Sequence, residues 1–253
     1  MNTYCFIRCI GKFKVPDVWK NNVNGGMNRL YYIIDGEGGY FLRGKKYTFK
    51  KKHIYLIPAY DNIPTWSSYD SEESKLNHLF VNFEIIPPII TKEVIELDPS
   101  SDPTVEAALT ALDKIVEKSK WKINLLNDSQ IRYLKATVVY IVNTMISASN
   151  VKTLDDKILI RALEKMHKGI SEDISIKEIA EESFMSYYGF IRRFKNALGM
   201  TPYTYLKQLR LRTATALRDD GATLEEIAEK CGYSDSSALL HAISGEKRLP
   251  EIK

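Results

Sequence analysis

Hydrophobic and polar positions alternate in short runs through the first hundred residues of the chain. Residues 29–60 read RLYYIIDGEGGYFLRGKKYTFKKKHIYLIPAY, where aromatic and β-branched runs are separated by turn-like groups such as DGEGG and RGKK. Residues 75–86, KLNHLFVNFEII, form a further alternating run. Short strands bounded by turn residues are typical of a small all-β barrel or sandwich. The pattern therefore predicts a β domain over residues 1–100.

The periodicity changes to a helical one after the segment LDPSSDPTVEAAL, residues 97–109. Asp102 or Thr104 is expected to cap a helix that runs to about Lys118. A second helix is predicted over residues 128–147, because apolar residues recur there at spacings of three and four. These residues are Ile131, Leu134, Val138, Ile141, Val142 and Met145. Residues 101–150 are thus predicted to be a helical region.

From Leu154 onward the chain is predicted to form short helices joined by tight turns. Residues 175–199 indicate a helix, a turn and a second helix: Ser175 caps the first, with Glu178 three residues later in a capping box. Ser186 is expected to cap the second helix, and Gly199 to end it with a positive φ. Residues 151–253 are therefore predicted to be an all-α domain.

The second helix of this pair has two chemically different faces. Phe190 and Phe194 are four residues apart and are predicted to point into the domain. Tyr187, Tyr188, Ile191 and Arg192 are then predicted to project outward from the first two turns. A helix presented in this way fits the DNA major groove, about 12 Å wide, where arginine donates two hydrogen bonds to guanine and tyrosine hydroxyls reach phosphates. The alternative is that all the rings are core residues.

The same pattern recurs later in the chain. LEEIAEKCGYSDSSALLHAI, residues 224–243, repeats IKEIAEESFMSYYGFIRRF with one extra residue after the turn, so Ala228 matches Ala180 and Leu239 matches Phe190. A linking helix with an apolar stripe is predicted between the two pairs. Its stripe comprises Tyr205, Leu206, Leu209, Ala214 and Leu217. Two such pairs are able to enter successive major grooves, about 34 Å apart on one face of DNA.

Charge placement supports a polyanion partner. The formal net charge is only +4, but residues 183–218 contain seven Lys or Arg residues and no Asp or Glu. A local cationic stripe on a nearly neutral chain favours nucleic acid on one face. The alternative is a solvated helical face without a partner.

Composition indicates a globular protein, because 44% of the residues are hydrophobic and 11% are aromatic. The odd set of three cysteines, Cys5, Cys9 and Cys231, has no metal-ligand spacing and favours reduced thiols in the cytoplasm. We see no signal peptide and no apolar run of the roughly 18 residues that a membrane span needs. A cytoplasmic protein without a membrane partner is expected.

The C-terminal motifs resemble those of the AraC/XylS family of bacterial transcription regulators. The matching elements are IAEESFMSYYGFIRRFKNALGMTPYTYLKQLRLRTATAL and TLEEIAEKCGYSDSSALLHAI, and residues 199–214 are the most specific part. The resemblance implies two helix-turn-helix units, double-stranded DNA as a partner, a homodimer held by residues 128–147, and RNA polymerase as a partner of an activator. Packing within its own domain is the alternative role of residues 128–147.

The family reads bases with positions early in the second helix of each unit. Carried over, these positions are Tyr188, Ile191 and Arg192 in the first unit, with Tyr187 beside them, and Ser236, Ser237 and His241 in the second. Nearby basic residues that the resemblance implies as phosphate contacts are Arg193, Lys195 and Arg210.

Several positions depart from the family pattern. Phe184 stands where glycine is common in the first turn, and Gly189 where a helix former is usual, at a cost of up to ~1 kcal/mol relative to Ala. In the second unit His241, Ile243 and Ser244 replace the usual Arg, Phe and Lys. We therefore predict that the second unit binds weakly and discriminates less between bases.

The β half resembles the cupin-type barrel of sugar-responsive members of the family. Strand parity places His78, Phe80 and Asn82 on one face and Leu79, Val81 and Phe83 on the other. The resemblance implies an effector pocket, most readily for a sugar, with these candidate ligand-binding residues: Trp19, Thr65, Trp66, His78 and Phe80. The alternative is a polar lining without a ligand. The four histidines are too scattered for the cupin metal site, so neither a metal nor another cofactor is expected.

The sequence therefore predicts an α+β protein. We expect a ligand-responsive, dimeric transcription regulator that acts as an activator, and not an enzyme. Two alternatives remain. A cupin-type sugar-modifying enzyme with a vestigial helical tail would need a catalytic cluster, and we find none in the sequence. A regulator that works without a ligand would have a collapsed pocket.

Overall fold

The computed structural model describes residues 3–15, 26–59, 63–119 and 122–245. The chain divides into two compact units, Met1–Lys152 and Thr153–Lys253. The first is rich in β-structure and the second is helical, so the mixed α and β composition predicted from the sequence is confirmed. No helix in these described ranges is both long and apolar enough to cross a membrane.

The described strands of the chain are short, as the punctuated hydrophobic pattern predicts. They are β1 (Tyr4–Lys14), β2 (Asn28–Asp35), β3 (Gly38–Leu42), β4 (Lys45–Thr48), β5 (Ile54–Ile57), β6 (Thr65–Ser67), β7 (Asn77–Ile86), β8 (Ile89–Ile90), β9 (Ile95–Leu97) and β10 (Lys152–Thr153). A five-stranded antiparallel sheet has the order β1-β7-β2-β5-β9, and a three-stranded antiparallel sheet has the order β4-β3-β6.

One face of the five-stranded sheet packs against two helices, α1 (Pro103–Ser119) and α2 (Asp128–Ser147). Leu79, Val81 and Phe83 lie on this face, fully buried, as strand parity predicts. Asp102 Oδ1 accepts a hydrogen bond from the Thr104 N–H at the start of α1, so Asp102 rather than Thr104 is the cap. The α2 helix has the predicted bounds.

The opposite face of the same sheet carries most of the aromatic residues. Tyr31, Ile33 and Tyr55 are buried there in a second core, together with Leu42 and Phe49. The Phe80 ring belongs to this core as well, and it lies directly over Gly11 of β1. A Cβ at Gly11 would stand only 2.5 Å from Phe80 Cε1, so the absence of a side chain there makes room for the ring.

The helical unit contains six helices among its described residues. They are α3 (Lys157–Lys168), α4 (Ile176–Glu182), α5 (Tyr187–Leu198), α6 (Pro202–Asp219), α7 (Leu224–Lys230) and α8 (Ser236–Ser244). The α6 helix is the predicted linking helix. Its buried residues include Tyr205, Leu206, Leu209 and Ala214, and Leu217 is half-buried, so the predicted apolar stripe is present.

Candidate nucleic-acid interface

Polar side chains cap both helices of the first pair, α4 and α5, at the predicted residues. Ser175 accepts a hydrogen bond from the Glu178 N–H at the start of α4, although the Glu178 side chain does not return the bond that the predicted capping box requires, and Ser186 accepts one from the Gly189 N–H at the start of α5. Gly199 ends α5 with φ 74°, in the left-handed region that favours glycine. These caps satisfy amide groups that a helix end leaves unpaired, so the sequence itself sets where α5 begins and ends.

The inner face of α5 holds the helix to its unit. Phe190 and Phe194 are completely buried, and the Phe194 ring meets the Tyr205 ring of α6 edge-on with centroids 5.7 Å apart. Leu198, one turn further, is also buried. Because burying such side chains is worth roughly 1.5–3 kcal/mol each, this face fixes which residues of α5 remain outside.

The outer face of α5 presents rings and cations to solvent. Tyr188 is 81% exposed, and Arg192, one turn later, is exposed too. Tyr187 and Ile191 are only half-buried, and the Tyr187 hydroxyl donates a hydrogen bond to the Tyr203 hydroxyl at 3.3 Å. The four residues predicted to project outward are therefore brought together, with Tyr188 and Arg192 the most accessible.

Only part of the acid-free cationic stretch is available to a partner. Arg212 is 6% exposed with its guanidinium over the Tyr205 ring. Arg210 donates hydrogen bonds from Nε to the Ile170 carbonyl and from Nη2 to the Glu172 carbonyl, at 3.2 and 2.7 Å. These contacts hold the Arg210 side chain against the segment before α4. Its predicted contact with a DNA phosphate stays a prediction, and the guanidinium already donates two hydrogen bonds within the unit.

Arg193 has an acidic neighbour, Asp156, that lies outside the acid-free stretch of residues 183–218. Its Nε donates to Asp156 Oδ2 at 2.7 Å, and Asp156 comes from the N-cap of α3. Burial opposes ionisation of Asp156, but the hydrogen bonds from Arg193 and from the Leu159 and Ile158 amides outweigh it and lower its pKa. By contrast, no carboxylate in the described part of the chain pairs with Arg192 or Lys195, which are both exposed.

A depression of about 580 Å³ runs along the exposed side of α5. Its lining residues are Met185, Gly189, Arg192, Arg193, Asn196 and Ala197. A side chain at Gly189 would begin 2.9 Å from the Ser186 hydroxyl that caps the helix, so glycine keeps this part of the surface low beside Arg192. The departure from the family pattern at Gly189 thus coincides with the cationic end of the depression.

The second pair of helices, α7 and α8, is capped like the first pair but has no Lys or Arg at its predicted base-reading positions. Thr223 and Glu226 form a reciprocal capping box on α7, and Asp235 caps α8 by accepting from the Ala238 N–H. Ser237 and His241 are exposed on α8 and Ser236 is half-buried. These three predicted base-reading residues share the outer side of α8 but include no permanent cation.

Sequence reasoning did not assign a role to Phe184. It lies in the turn between α4 and α5, with φ 54°, and its side chain is 99% exposed. Tyr203, at the start of α6, is 52% exposed beside Tyr187 and was also missed. The sequence did mark Phe184 as unusual, because glycine is common at that position of the family pattern. Nothing in the sequence marks Tyr203, because its exposure depends on how α6 packs.

The candidate ligand-binding residues of the N-terminal unit are only partly brought together. Trp19 lies outside the described residues. His78 is 1% exposed and is surrounded by the rings of Tyr31, Phe13 and Phe80, with centroids 4.6, 5.4 and 5.8 Å away. Burial lowers the pKa of His78 to about 3, so the imidazole is neutral at physiological pH.

Thr65 and Trp66 are neighbours on β6 and therefore face opposite sides of their sheet. Thr65 is buried. Trp66 lies against Gly39 and donates a hydrogen bond from Nε1 to the Tyr47 carbonyl at 3.1 Å, with the Lys46 ammonium 3.7 Å from the ring centroid. Thr65 is thus the buried member of this pair, whereas Trp66 packs on the hairpin of β3 and β4.

No group of three or more His, Cys, Asp or Glu side chains suited to a metal ion occurs among residues 3–15, 26–59, 63–119 and 122–245. The three cysteines are free thiols, and burial raises the pKa of Cys5 to about 12.

Comparisons with known proteins agree on the helical unit. A family model described as a helix-turn-helix domain matches residues 179–246. A putative AraC-like transcription regulator of Streptomyces lividans is 27% identical over 158 residues, covering 61% of this chain and 51% of that protein. The HTH-type transcriptional regulator YbfI of Bacillus subtilis is 21% identical over 225 residues, covering 83% of this chain and 78% of that protein. The chain thus spans about half the length of the first of these relatives.

Among solved structures, ToxT of Vibrio cholerae is similar across nearly the whole chain. The TM-score is 0.57 at 12% sequence identity, with 99% of this chain and 97% of that chain covered. A structure of ToxT with an unsaturated fatty acid bound matches with a TM-score of 0.50 at the same identity. At such identity the similarity shows the fold alone.

Proposed function

By its C-terminal motifs the chain belongs to the AraC/XylS family of transcription regulators, and we propose that it is a sequence-specific DNA-binding regulator whose first reading helix is α5. The observation that carries this proposal is the division of α5 into a buried phenylalanine face and an exposed face with Tyr188, Arg192 and Lys195. The relatives of Streptomyces lividans and Bacillus subtilis are both described as transcription regulators, which confirms the prediction of a regulator rather than an enzyme.

We further propose that α4–α5 and α7–α8 are two helix-turn-helix units, as predicted. Their turns have the same hydrogen bonds: the Met185 N–H donates to the Ala180 carbonyl at 3.0 Å, and the Tyr233 N–H to the Ala228 carbonyl at 2.9 Å. The buried alanines let the second helix of each pair cross closely. The α8 helix lacks a permanent cation at its base-reading positions, so α5 supplies most of the discrimination.

The experiment that tests this function is selection of DNA sites by the purified chain, followed by footprinting. We expect protection of two segments centred about 10 base pairs apart on one face of the duplex, with the stronger sequence preference in one of them. Failure to protect any selected duplex at low ionic strength would contradict the proposal, because phosphate contacts are strongest there.

The N-terminal unit is proposed to be a cupin-like barrel that responds to a small molecule. Its two sheets enclose the aromatic core of Tyr31, Tyr55 and Phe49, which supports a barrel-like interior. ToxT, which shares the fold, binds an unsaturated fatty acid, and this supports an effector of small size. A sugar remains the prediction from the sequence, although the rings around His78 leave that residue little room for one.

The outer face of α2 supports the predicted homodimer. Leu134, Val138 and Ile141 are buried against the unit, whereas Tyr133 and Tyr140, seven residues apart, are 56% and 40% exposed. Exposed rings spaced by two turns lie on one stripe, and aromatic residues are enriched at protein interfaces. RNA polymerase is the further partner if the regulator is an activator, and the cytoplasm is its proposed location.

A further inference from the structure

A buried cation, Arg29, has no counter-charge among the described residues of the N-terminal unit. Arg29 on β2 is 3% exposed, and its Nη2 donates to the Ile63 carbonyl at 2.6 Å. Nη1 is buried and has no hydrogen-bond partner in the described part of the chain. Arginine cannot release its proton, and a buried charge without an ion pair is strongly unfavourable, so Arg29 costs stability where it stands.

Two further buried polar atoms, Asn82 Oδ1 and Thr65 Oγ1, are also unsatisfied in the described part of the chain. Asn82 on β7 is the direct cross-strand partner of Arg29, so both side chains lie on the same face of the sheet. Asn82 Oδ1 has no hydrogen-bond partner among the described residues, and neither has Thr65 Oγ1, two residues after the carbonyl of Ile63. Unsatisfied buried groups are rare in native proteins and call for a missing partner.

The described acid nearest along β7 does not supply this partner. Glu84 is two residues from Asn82 on the same face of β7, but its carboxylate pairs with Arg8 at 2.5 Å. No carboxylate in the described ranges pairs with Arg29 itself. The positive charge of Arg29 is thus left unpaired within the described part of the chain.

We propose that Arg29, Asn82 and Thr65 form a binding site for a small carboxylic acid that also carries a hydroxyl or amino group. The carboxylate would accept from Arg29 Nη1, since guanidinium matches carboxylate geometry. The hydroxyl or amino group of the ligand would donate to Asn82 Oδ1, and the Thr65 hydroxyl would complete the set. Tyr31, whose ring lies 6.0 Å from the Arg29 guanidinium carbon, offers an apolar wall.

This inference rests on the proposed function in one respect: it takes this interior to be the effector site. Carboxylate binding is nevertheless measured without DNA, and DNA binding without the acid. Failure of the chain to bind an acid would therefore leave the proposed DNA binding untouched, and failure to bind DNA would leave the proposed acid site untouched.

The test is thermal unfolding of the full chain with three acids, each beside its neutral analogue at equal ionic strength. The pairs are acetate with acetamide, lactate with lactamide, and galacturonate with galactose. We expect lactate or galacturonate, which carry hydroxyl groups, to raise the Tm by about 3 °C or more at saturating concentration, and its neutral analogue and acetate to shift the Tm much less. Equal shifts from acid and analogue, or no shift from either hydroxy acid, would overturn the proposal.

Two variants separate binding from structure. Arg29→Met removes the unpaired charge at similar length, so it should raise the Tm of the unliganded chain and abolish the shift caused by the acid. Arg161→Met, at an exposed arginine of α3, should keep that shift. A lower Tm for the unliganded Arg29→Met variant would show that Arg29 is a structural tether to Ile63, and the proposal would fail.

Discussion

Phe184 and Gly232 hold the same left-handed backbone conformation at equivalent points of the helix pairs α4–α5 and α7–α8, with φ 54° and 71°. Each is the second residue after its first helix, and their N–H groups donate to Glu181 and Glu229. Glycine adopts this conformation without strain, whereas phenylalanine does so at a cost of about 1–2 kcal/mol. The first turn therefore keeps a strained residue whose ring touches solvent.

Replacing Phe184 with glycine should stabilise the helical unit. Relief of the left-handed strain outweighs the greater backbone entropy of glycine in the unfolded chain, and no packing is lost because the ring is exposed. We expect a gain of about 1 kcal/mol in the free energy of unfolding, measured by urea denaturation.

Gly232→Ala is the matched control and should destabilise the same unit. A Cβ there would stand 2.7 Å from the Ile170 carbonyl oxygen and 2.8 Å from Arg210 Nη2, in addition to the left-handed strain. Should Phe184→Gly also destabilise, the ring would have to contribute contacts within the folded chain.

Arg210→Ala is expected to lower stability rather than the salt dependence of DNA binding. The substitution leaves the Ile170 and Glu172 carbonyls without their charged donor, at a cost of about 1–3 kcal/mol. Lys195→Ala should instead reduce the slope of log K against log salt by about 1, because Lys195 is exposed and pairs with no described carboxylate. A reduced slope for Arg210→Ala at unchanged stability would restore its predicted phosphate contact.

His78 should make the N-terminal unit less stable in mild acid. Its pKa falls from 6.5 in the unfolded chain to about 3 when buried, so the unfolded chain binds the proton first as the pH drops. The stability that the folded chain keeps because His78 is neutral is fully present above about pH 6.5 and is lost progressively towards pH 3. The free energy of unfolding should be about 2 kcal/mol lower at pH 5 than at pH 7. The measurement is urea denaturation at both pH values.

His78→Phe is the control, because a phenyl ring retains the aromatic surroundings and cannot bind a proton. The difference in unfolding free energy between wild type and variant should widen in favour of the variant from pH 7 to pH 5. If the unfolding free energies of wild type and variant changed equally between pH 7 and pH 5, His78 would bind its proton as readily in the folded chain as in the unfolded one.

Local rules were sufficient to predict much of this molecule. Ser186 and Gly199 delimit α5 because capping depends on a few adjacent residues, and strand parity separated Val81 from Phe80 because side chains alternate along any strand. The β and helical regions follow from hydrophobic period alone.

What the sequence could not supply were contacts between residues far apart in the chain. The acid-free window indicated a cationic surface, but Asp156 pairs with Arg193 from 37 residues away. Likewise, nothing local shows that Arg29 is buried, since its surroundings come from β7 and from the segment containing Ile63. Tertiary packing, rather than composition, decides which cations remain for a partner.

His241→Ala should weaken DNA binding less than the corresponding change in α5. The exposed imidazole of His241 presents a single ring nitrogen to a base edge, whereas an arginine fork donates two hydrogen bonds to one base. Measured by fluorescence anisotropy on a selected site, the loss should remain below about 1 kcal/mol. A loss equal to that of Arg192→Ala would show that α8 reads bases as strongly as α5.

The central claim is that α5 lies in the DNA groove with Arg192 towards the bases, and the most direct test is the affinity of Arg192→Ala for a selected site. Arg161→Ala, an exposed arginine of α3 outside both pairs, is the matched control with the same loss of charge. We predict a loss of about 1–3 kcal/mol for Arg192→Ala, together with relaxed preference at one base pair, and little change for Arg161→Ala. Equal affinities of the two variants would contradict the account.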